Sequence, residues 1–529
     1  MFKFIFAGVL CLISGNLFAQ VGYSNFANEA VLFSQTGVNG TARFIGLGGA
    51  NTSLGADISS ISGNPAGLGF YNRSAWAVSP VLRLGNFNAD YNILTGRAPN
   101  TFDINSQRSF GANVQIPNAG VVFNNRFDEG SGWISGTFGM GYNQKRSFYN
   151  DINYSGNVGI VDGLYNDFVE YAALPFLDNS SPSGFREFQT EDQALDAIFA
   201  DTYSELAYNT FLLDVVNDVD NGIFFVDRYD FDEEQGVGYL TTNSFQTENI
   251  RTRGGLSTLD LSYGANYQDK LYLGAALNIN FLNYEQERIF TERPDNLLIS
   301  NIELIDFRTL SGAGAGVTVG AIFKPISAVN LGVSYSSPSF IAINETQSIE
   351  LITNGVTGNN SAEIINEVPA YNFIIPQKVS AGASVFLGKY GFITADVEYI
   401  DYANAQYGTT QNAFGNLAPE IGEELNSTYN IKVGAEGRLG AFRLRAGYNY
   451  MDNPYRAQGV SNPAFTQGRS VISGGLGIQK KGFFFDATYS LISQNNPLVQ
   501  PYNFGDIAPG FVESTSQIST IRLTVGKSF

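Results

Sequence analysis

The chain has 529 residues, carries a formal net charge of −19, is 14% aromatic, and contains 58 glycines, 17 prolines, one cysteine and no histidine. Without histidine, a Ser-His-Asp site and histidine-ligated zinc or haem are excluded. The acidic balance excludes nucleic acid as a partner, because phosphate binding needs the opposite sign.

The N-terminus reads as a secretory signal spanning residues 1–19. Residues 2–18 hold one charge, Lys3, and an apolar run from Phe4 to Ile13, with Leu17-Phe18-Ala19 before Gln20. Cys11 lies inside that run behind Leu10, which makes it a poor lipid-attachment site, and cleavage after Ala19 leaves no cysteine for a disulfide. No later stretch approaches the roughly 18 uncharged apolar residues that a membrane helix needs. A bilayer would then be crossed by a closed barrel, which satisfies every backbone group in hydrocarbon.

Residues 20–72 precede the first strand pattern and contain Gly46-Leu47-Gly48-Gly49-Ala50 and Asn64-Pro65-Ala66-Gly67-Leu68. They are the candidate plug, and the barrel is expected over 73–529. Pro65 pushes Asn64 toward an extended conformation, and the Asn64 amide offers donors and acceptors inside a polar lumen. The glycine run lacks the preceding strand and the spacing of a nucleotide-binding loop. From there on, segments recur in which one parity is apolar and the other polar or glycine. Three irregular strands are expected near 74–94, 108–125 and 131–150. Sharper ones follow at 259–267, 271–281, 313–323, 329–335, 379–387, 393–399, 431–439, 442–450, 472–478, 483–489 and 521–529. Fourteen strands, with short turns on one side and long loops on the other, is a membrane-barrel pattern. A secreted β-sandwich or propeller shares the composition but gives no reason for that alternation of connections.

Residues 151–250 form a long acidic loop with twenty acidic residues and only Arg186 and Arg228 basic, so it carries −18 of the net −19. Its apolar residues Leu195, Ile198, Phe199 and Leu206, then Phe211, Leu212, Val215 and Val216, recur at helical spacing and predict one or two amphipathic helices. An acidic cap repels an anionic ligand. Either the ligand is neutral, or Arg251, Arg253 or Arg288 receives its head group. Asp227, Asp230, Asp232, Glu233 and Glu234 lack EF-hand spacing and read as solvated loop rather than a calcium site.

Within the strands, Gly312, Gly314, Gly316 and Gly320 face the lumen and leave room for another piece of chain. Lys378, Asp396, Glu398, Lys432, Glu436, Arg438, Arg443 and Arg445 also point inward, a mixed-sign set that can pair across the lumen or hold a plug. In the last strand Ile521, Leu523, Val525 and Phe529 face lipid, and Arg522, Thr524, Gly526 and Ser528 face the lumen. Carboxylates crowded into an acidic loop do not indicate acid/base roles. No catalytic residue, metal or cofactor is assigned, and the chain does not read as an enzyme.

The order of several motifs resembles the FadL/TodX family of outer-membrane transporters. They are Gly46-Leu47-Gly48-Gly49-Ala50, a spacer with Asp57 and Ser59, Asn64-Pro65-Ala66-Gly67-Leu68, Pro376-Gln377-Lys378-Val379, Ala395-Asp396-Val397-Glu398-Tyr399, Ile431-Lys432-Val433-Gly434-Ala435-Glu436, Leu444-Arg445-Ala446-Gly447-Tyr448 and Gly474-Gly475-Leu476-Gly477. The resemblance implies an all-β membrane protein of the bacterial outer membrane: an antiparallel barrel of about fourteen strands surrounded by outer-membrane lipid. It also implies an N-terminal hatch in the lumen and uptake of long-chain fatty acids or other hydrophobic small molecules. By the same resemblance Asn64, Pro65 and Ala66 contact the barrel wall. Leu195, Phe199, Leu206 and Phe211 would line a ligand groove in the long extracellular loop. The terminal Phe529 resembles the signal read by the barrel-assembly machinery. Ligand release is expected past the hatch or sideways where a strand kinks, with Gly136, Gly139 and Gly141 as the candidate kink. The alternative is a FadL-like adaptor of a secretion system that binds exported proteins at the cell surface. A general diffusion porin fits poorly with a hatch and paired lumen charges.

Overall fold

A computed structural model describes residues 24–35, 37, 39–94, 102–128, 132–159, 168–176, 185–219, 221–228, 243–295, 299–355, 358–408, 421–422, 424–456, 468–496, 499 and 510–529. The expected signal segment and four members of the acidic cluster, Asp230, Asp232, Glu233 and Glu234, lie outside them.

Eighteen hydrogen-bonded segments form one sheet. They build fourteen staves, because four staves are each made of two segments. The staves are β1 Ala75–Leu94, β2 Phe102–Arg126, β3 Trp133–Ser147 continued by Asn150–Gly159, β4 Asn243–Tyr267, β5 Leu271–Pro294 and β6 Ile299–Ile326. Then come β7 Val329–Ser336 continued by Ser339–Gly355, β8 Gly358–Ile375 and Lys378–Phe386, and β9 Gly391–Asp401 with Gln406–Gly408. The circuit ends with β10 Ser427–Leu439, β11 Phe442–Met451, β12 Arg469–Lys480, β13 Phe483–Asn495 and β14 Gly510–Ser528. Neighbours pair antiparallel, and β14 returns to β1 in a ladder from Ser528↔Ala75 to Gly510↔Ile93, which closes the barrel. Pro338 and Pro376 stand at the interruptions of β7 and β8, where a residue without an N–H cannot contribute to the ladder.

The expected alternation becomes a physical division. Leu273, Leu277 and Phe281 of β5 and Val317, Val319 and Phe323 of β6 are exposed on the outer wall, while Asn278, Asn280, Thr318 and Ile322 between them are buried. No described helix is long and apolar enough to cross a membrane. The outer belt instead gives a bilayer the apolar band of a spanning barrel. The 28-residue β6 exceeds the roughly 9 to 11 residues that suffice to span, so the wall projects beyond the bilayer on the long-loop side. The opposite rim has tight turns. At the β4–β5 turn both Gln268 and Asp269 have φ 55°, the left-handed pair that matches the sheet twist, and Asn266 Oδ1 accepts the Asp269 N–H at 2.9 Å.

The N-terminal segment lies inside the barrel. Helix α1 Ser24–Ser34 is followed by the short helix α2 Ala42–Gly46 and two 3-10 turns, Ile58–Ile61 and Pro65–Phe70. Each of these last three begins on a residue suited to it. Thr41 accepts the Phe44 N–H at 3.1 Å, Asp57 accepts that of Ser59 at 2.9 Å, and Asn64 accepts that of Ala66 at 3.1 Å with Pro65 in the first position.

Across the other mouth sits a cap of three helices, α3 Phe168–Ala173, α4 Glu191–Ile198 and α5 Thr202–Asn209, and a hairpin of Leu213–Asp218 and Ile223–Arg228. Its core joins Phe168, Phe176, Ile198 and Leu206 to Phe290, Leu304 and Leu351 of the wall.

Candidate functional site

The lumen holds three stacked layers. At the short-turn end the hatch, residues 41–72, fits because the wall is glycine at its closest approaches. A Cβ at Gly274 would collide with the backbone of Pro65 and Ala66, one at Gly332 with Thr52, one at Gly434 with Leu47 and one at Gly447 with Gly48. Gly48 itself has φ +65° and lies against the Tyr448 backbone, a place closed to other residues on both counts.

Polar contacts fix the hatch in register. Asn64 Nδ2 donates to the carbonyls of Thr52 at 2.7 Å and Val333 at 3.2 Å, and a Cβ at Gly320 would strike Asn64 Oδ1. The structure thus places Asn64, Pro65 and Ala66 against the wall. Gly312, Gly314 and Gly316 also face inward, but they accommodate the neighbouring strand at Ser339–Ile343 rather than the hatch.

Most of the inward charges meet in two groups. Glu398 takes Lys432 at 3.0 Å, Lys378 at 3.4 Å and the Asn430 amide at 3.0 Å. Glu436 takes Arg445 and Arg438, each at 2.8 Å, and Arg445 reaches Asp486 at 2.6 Å. Both ends of the set grip the hatch: one Asp396 oxygen accepts the N–H groups of Asn51 at 2.7 Å and Thr52 at 2.8 Å, and Arg43 lies 3.6 Å from Glu436. Burial alone would lower the Arg43 pKa, but the carboxylates of Glu436 and Asp57 overcome that and hold it above its usual value. Arg443 is apart from the network and donates to the carbonyls of Gly440 and Phe442 at its own turn.

Above the hatch is an apolar chamber, and α1 fills it. Phe33 is fully buried, with its ring edge-on to Phe148 and Tyr284 at 5.7 Å and to Phe373 at 5.9 Å. Leu310, Ile341 and Tyr402 complete the lining around Ala27, Ala30 and Val31. The polar ties of α1 are few. Glu29 pairs with Arg308, which also holds Glu345, and Asn28 accepts the Tyr455 hydroxyl at 2.8 Å.

The third layer is the cap. The four groove candidates do not share one surface there: Leu206 is fully buried and Leu195 packs on the same core, whereas Phe199 and Phe211 are 49% and 48% exposed. The head-group candidates have protein partners. Arg251 lies 3.4 Å from Glu287, Arg288 lies 2.6 Å from Glu248, and Arg253 donates to the Thr252 and Asn150 carbonyls with its guanidinium 4.6 Å from the Tyr149 ring centroid. Asp227 belongs to the cap hairpin.

The wall is interrupted beside this region, though not where glycines suggested. Gly136, Gly139 and Gly141 lie within continuous pairing of β3 to β2 and β4, and Gly139 and Gly141 make room for Ile61 of the hatch. The β2–β3 ladder instead ends at Asn118↔Asn143, and β3 bulges between Gln144 and Arg146. Beyond that point β2 is paired, among the described residues, to β1 alone, and Ser109 reaches across the seam to the Asp151 carbonyl.

Sequence reasoning placed residues 20–72 in the lumen without marking α1 as a helix or Arg43 as a charge partner, and it missed Asp486, Arg308 and Glu345 as parts of the interior. Asp486 was visible as an acid at a lumen-facing strand position. The α1 spacing of Ala27, Ala30 and Val31 was visible as a helical stripe but does not say what it packs against.

No protein-family description matches the chain, and no characterised protein is significantly similar to it in sequence. Solved structures are similar over nearly the whole chain. A Pseudomonas aeruginosa FadL homologue has a TM-score of 0.49 at 11% identity, covering 93% of this chain and 99% of that one. The Pseudomonas putida toluene transporter TodX gives 0.49 at 11%, covering 93% and 99%, and the Ralstonia pickettii toluene transporter TbuX gives 0.44 at 13%, covering 93% and 99%.

Proposed function

We propose that the protein is a channel of the bacterial outer membrane that takes up hydrophobic small molecules. The observation that carries this reading is the enclosed aromatic chamber in the lumen, filled by a segment of the protein's own chain rather than by wall side chains. Wall side chains fill a barrel of about eight strands, whereas fourteen enclose a bore that needs another occupant. Here Phe33 occupies a space shaped for an apolar body, and α1 can be exchanged for a ligand without unpairing any strand.

In this account a compound leaves water at the cap, displaces Phe33 and enters the chamber between the acidic loop and the hatch. The seam above Asn118↔Asn143 then offers an apolar solute a way into the outer leaflet, because the backbone ladder no longer bars it there. Passage of long-chain fatty acids in particular, the removal of residues 1–19 and recognition of Phe529 by the assembly machinery are finer parts of the same proposal. The adaptor alternative gains no support from this architecture.

The test is mass spectrometry of organic extracts from protein purified out of its native membrane, beside a variant lacking residues 186–234. Enrichment of one hydrophobic class, reduced in the variant, is the expected result. Extracts no different from those of an unrelated barrel would overturn the reading.

A further inference from the structure

Several arginines of the hatch layer and the chamber wall have an acid. Arg43, Arg438 and Arg445 share Glu436, and Arg308 has Glu29 and Glu345. Four others do not. Arg83 of β1, Arg146 of β3, Arg469 of β12 and Arg522 of β14 make no ion pair with any described carboxylate.

These four converge on one place. Arg83 and Arg522 lie on paired strands, with Val81 opposite Arg522 and Arg83 opposite Thr520. The linker between α1 and α2 runs past the other guanidinia. Arg146 donates to the Gln35 carbonyl at 3.0 Å and to its Oε1 at 2.6 Å, a Cβ at Gly37 would stand 3.9 Å from both Nη atoms of Arg469, and Arg522 donates to Asn39 Oδ1 at 2.7 Å and to the Gly40 carbonyl. Arg469 is within reach of the like charges of Arg146 and Arg83, and Arg522 of that of Arg83. The Nε–H groups of Arg469 and Arg522 are buried without a hydrogen-bond acceptor, and Arg522 is only 4% exposed.

Buried charges are ordinarily paired, because desolvation without compensation is costly. Linker carbonyls supply dipoles and no net charge, so four mutually repelling cations lack a counterion here. A carboxylate would neutralise one of them. A phosphate monoester carries close to two negative charges at neutral pH and three acceptor oxygens, and guanidinium forks match that geometry. Tyr402, which lines the chamber, lies within electrostatic reach of Arg146 and Arg469, so the cluster borders the apolar space that Phe33 fills.

We propose that Arg83, Arg146, Arg469 and Arg522 form a lumenal site for a phosphate-type dianion. Its source is either free phosphate or the head of an amphiphile whose tail enters the chamber, and only the tail rests on the uptake reading above.

The experiment is calorimetric titration of the full chain in neutral detergent with inorganic phosphate, dodecyl phosphate, laurate and dodecanol. Dodecyl phosphate should bind at least about tenfold more tightly than dodecanol, and laurate should fall between them. In the double variant Arg83→Gln/Arg469→Gln dodecyl phosphate should drop to the level of dodecanol, whose own binding stays unchanged. Arg469→Lys, which keeps the charge and loses the fork, should fall between wild type and that variant. Heat-modifiable migration on gels establishes that each barrel is folded. Displacement of dodecyl phosphate by millimolar phosphate would support the free ion as sufficient, and binding of the tailed compound alone would support the amphiphile. Dodecyl phosphate no tighter than dodecanol, or no tighter than laurate, with no binding of inorganic phosphate either, overturns the site. Binding of inorganic phosphate with no binding of any tailed compound would keep the site and overturn the uptake reading instead.

Discussion

The hatch and helix α1 occupy the same barrel and are held in opposite ways. The hatch meets the wall backbone to backbone, through glycines such as Gly274 and Gly447, and its own N–H groups are spent on wall acceptors such as Asp396. Helix α1 meets the wall through Phe33 and a few polar ties. Close backbone approach is unforgiving, because no side chain can rotate away. Apolar packing is non-directional, and another apolar body can replace it. The lower layer is therefore held by directional contacts, and in the proposed uptake the middle layer is the one a ligand displaces.

The largest effect should come from breaking the seal. Gly447→Val drives a branched side chain into the Gly48 backbone, beyond the roughly 1 to 3 kcal/mol that overpacking a deformable core costs. The hatch should fail to seat, and single-channel conductance in planar bilayers should rise well above that of the wild type. Wild-type conductance from a folded variant would mean that the hatch is not the seal. Phe33→Ala should weaken docking of α1 by roughly 3 to 5 kcal/mol while sparing the hatch. Fluorescent apolar probes should bind more tightly to this variant, and hydrogen exchange of residues 44–52 should not change. Exchange that accelerates in both segments together would show that the two layers form one cooperative unit, against the contrast drawn above. The smallest effect is expected from Asp396→Ala, which leaves the Asn51 and Thr52 N–H groups without their acceptor. At roughly 2 kcal/mol for unsatisfied buried donors, those amides should exchange about 30-fold faster with little change in conductance.

The strand alternation by itself determined the barrel wall. Side-chain direction in a strand has period two, so 271–281 or 313–323 declares its lipid and lumen faces without reference to any other part of the chain. The same local logic marked Asp396, Glu436 and Arg445 as inward and Asn64 as extended ahead of Pro65. What the inward residues meet was decided only by closure, which brings together positions far apart in the chain, as when Asp396 receives Asn51 and Arg522 reaches Asn39. That is why Leu206 became cap core while Phe199 stayed exposed, why the break in the wall fell at Gln144–Arg146 rather than at a glycine, and why Arg83, Arg146, Arg469 and Arg522 converge although nothing in their local sequence relates them. Periodicity fixes a direction for each side chain, and the partner found in that direction depends on the register of fourteen strands around a closed circuit.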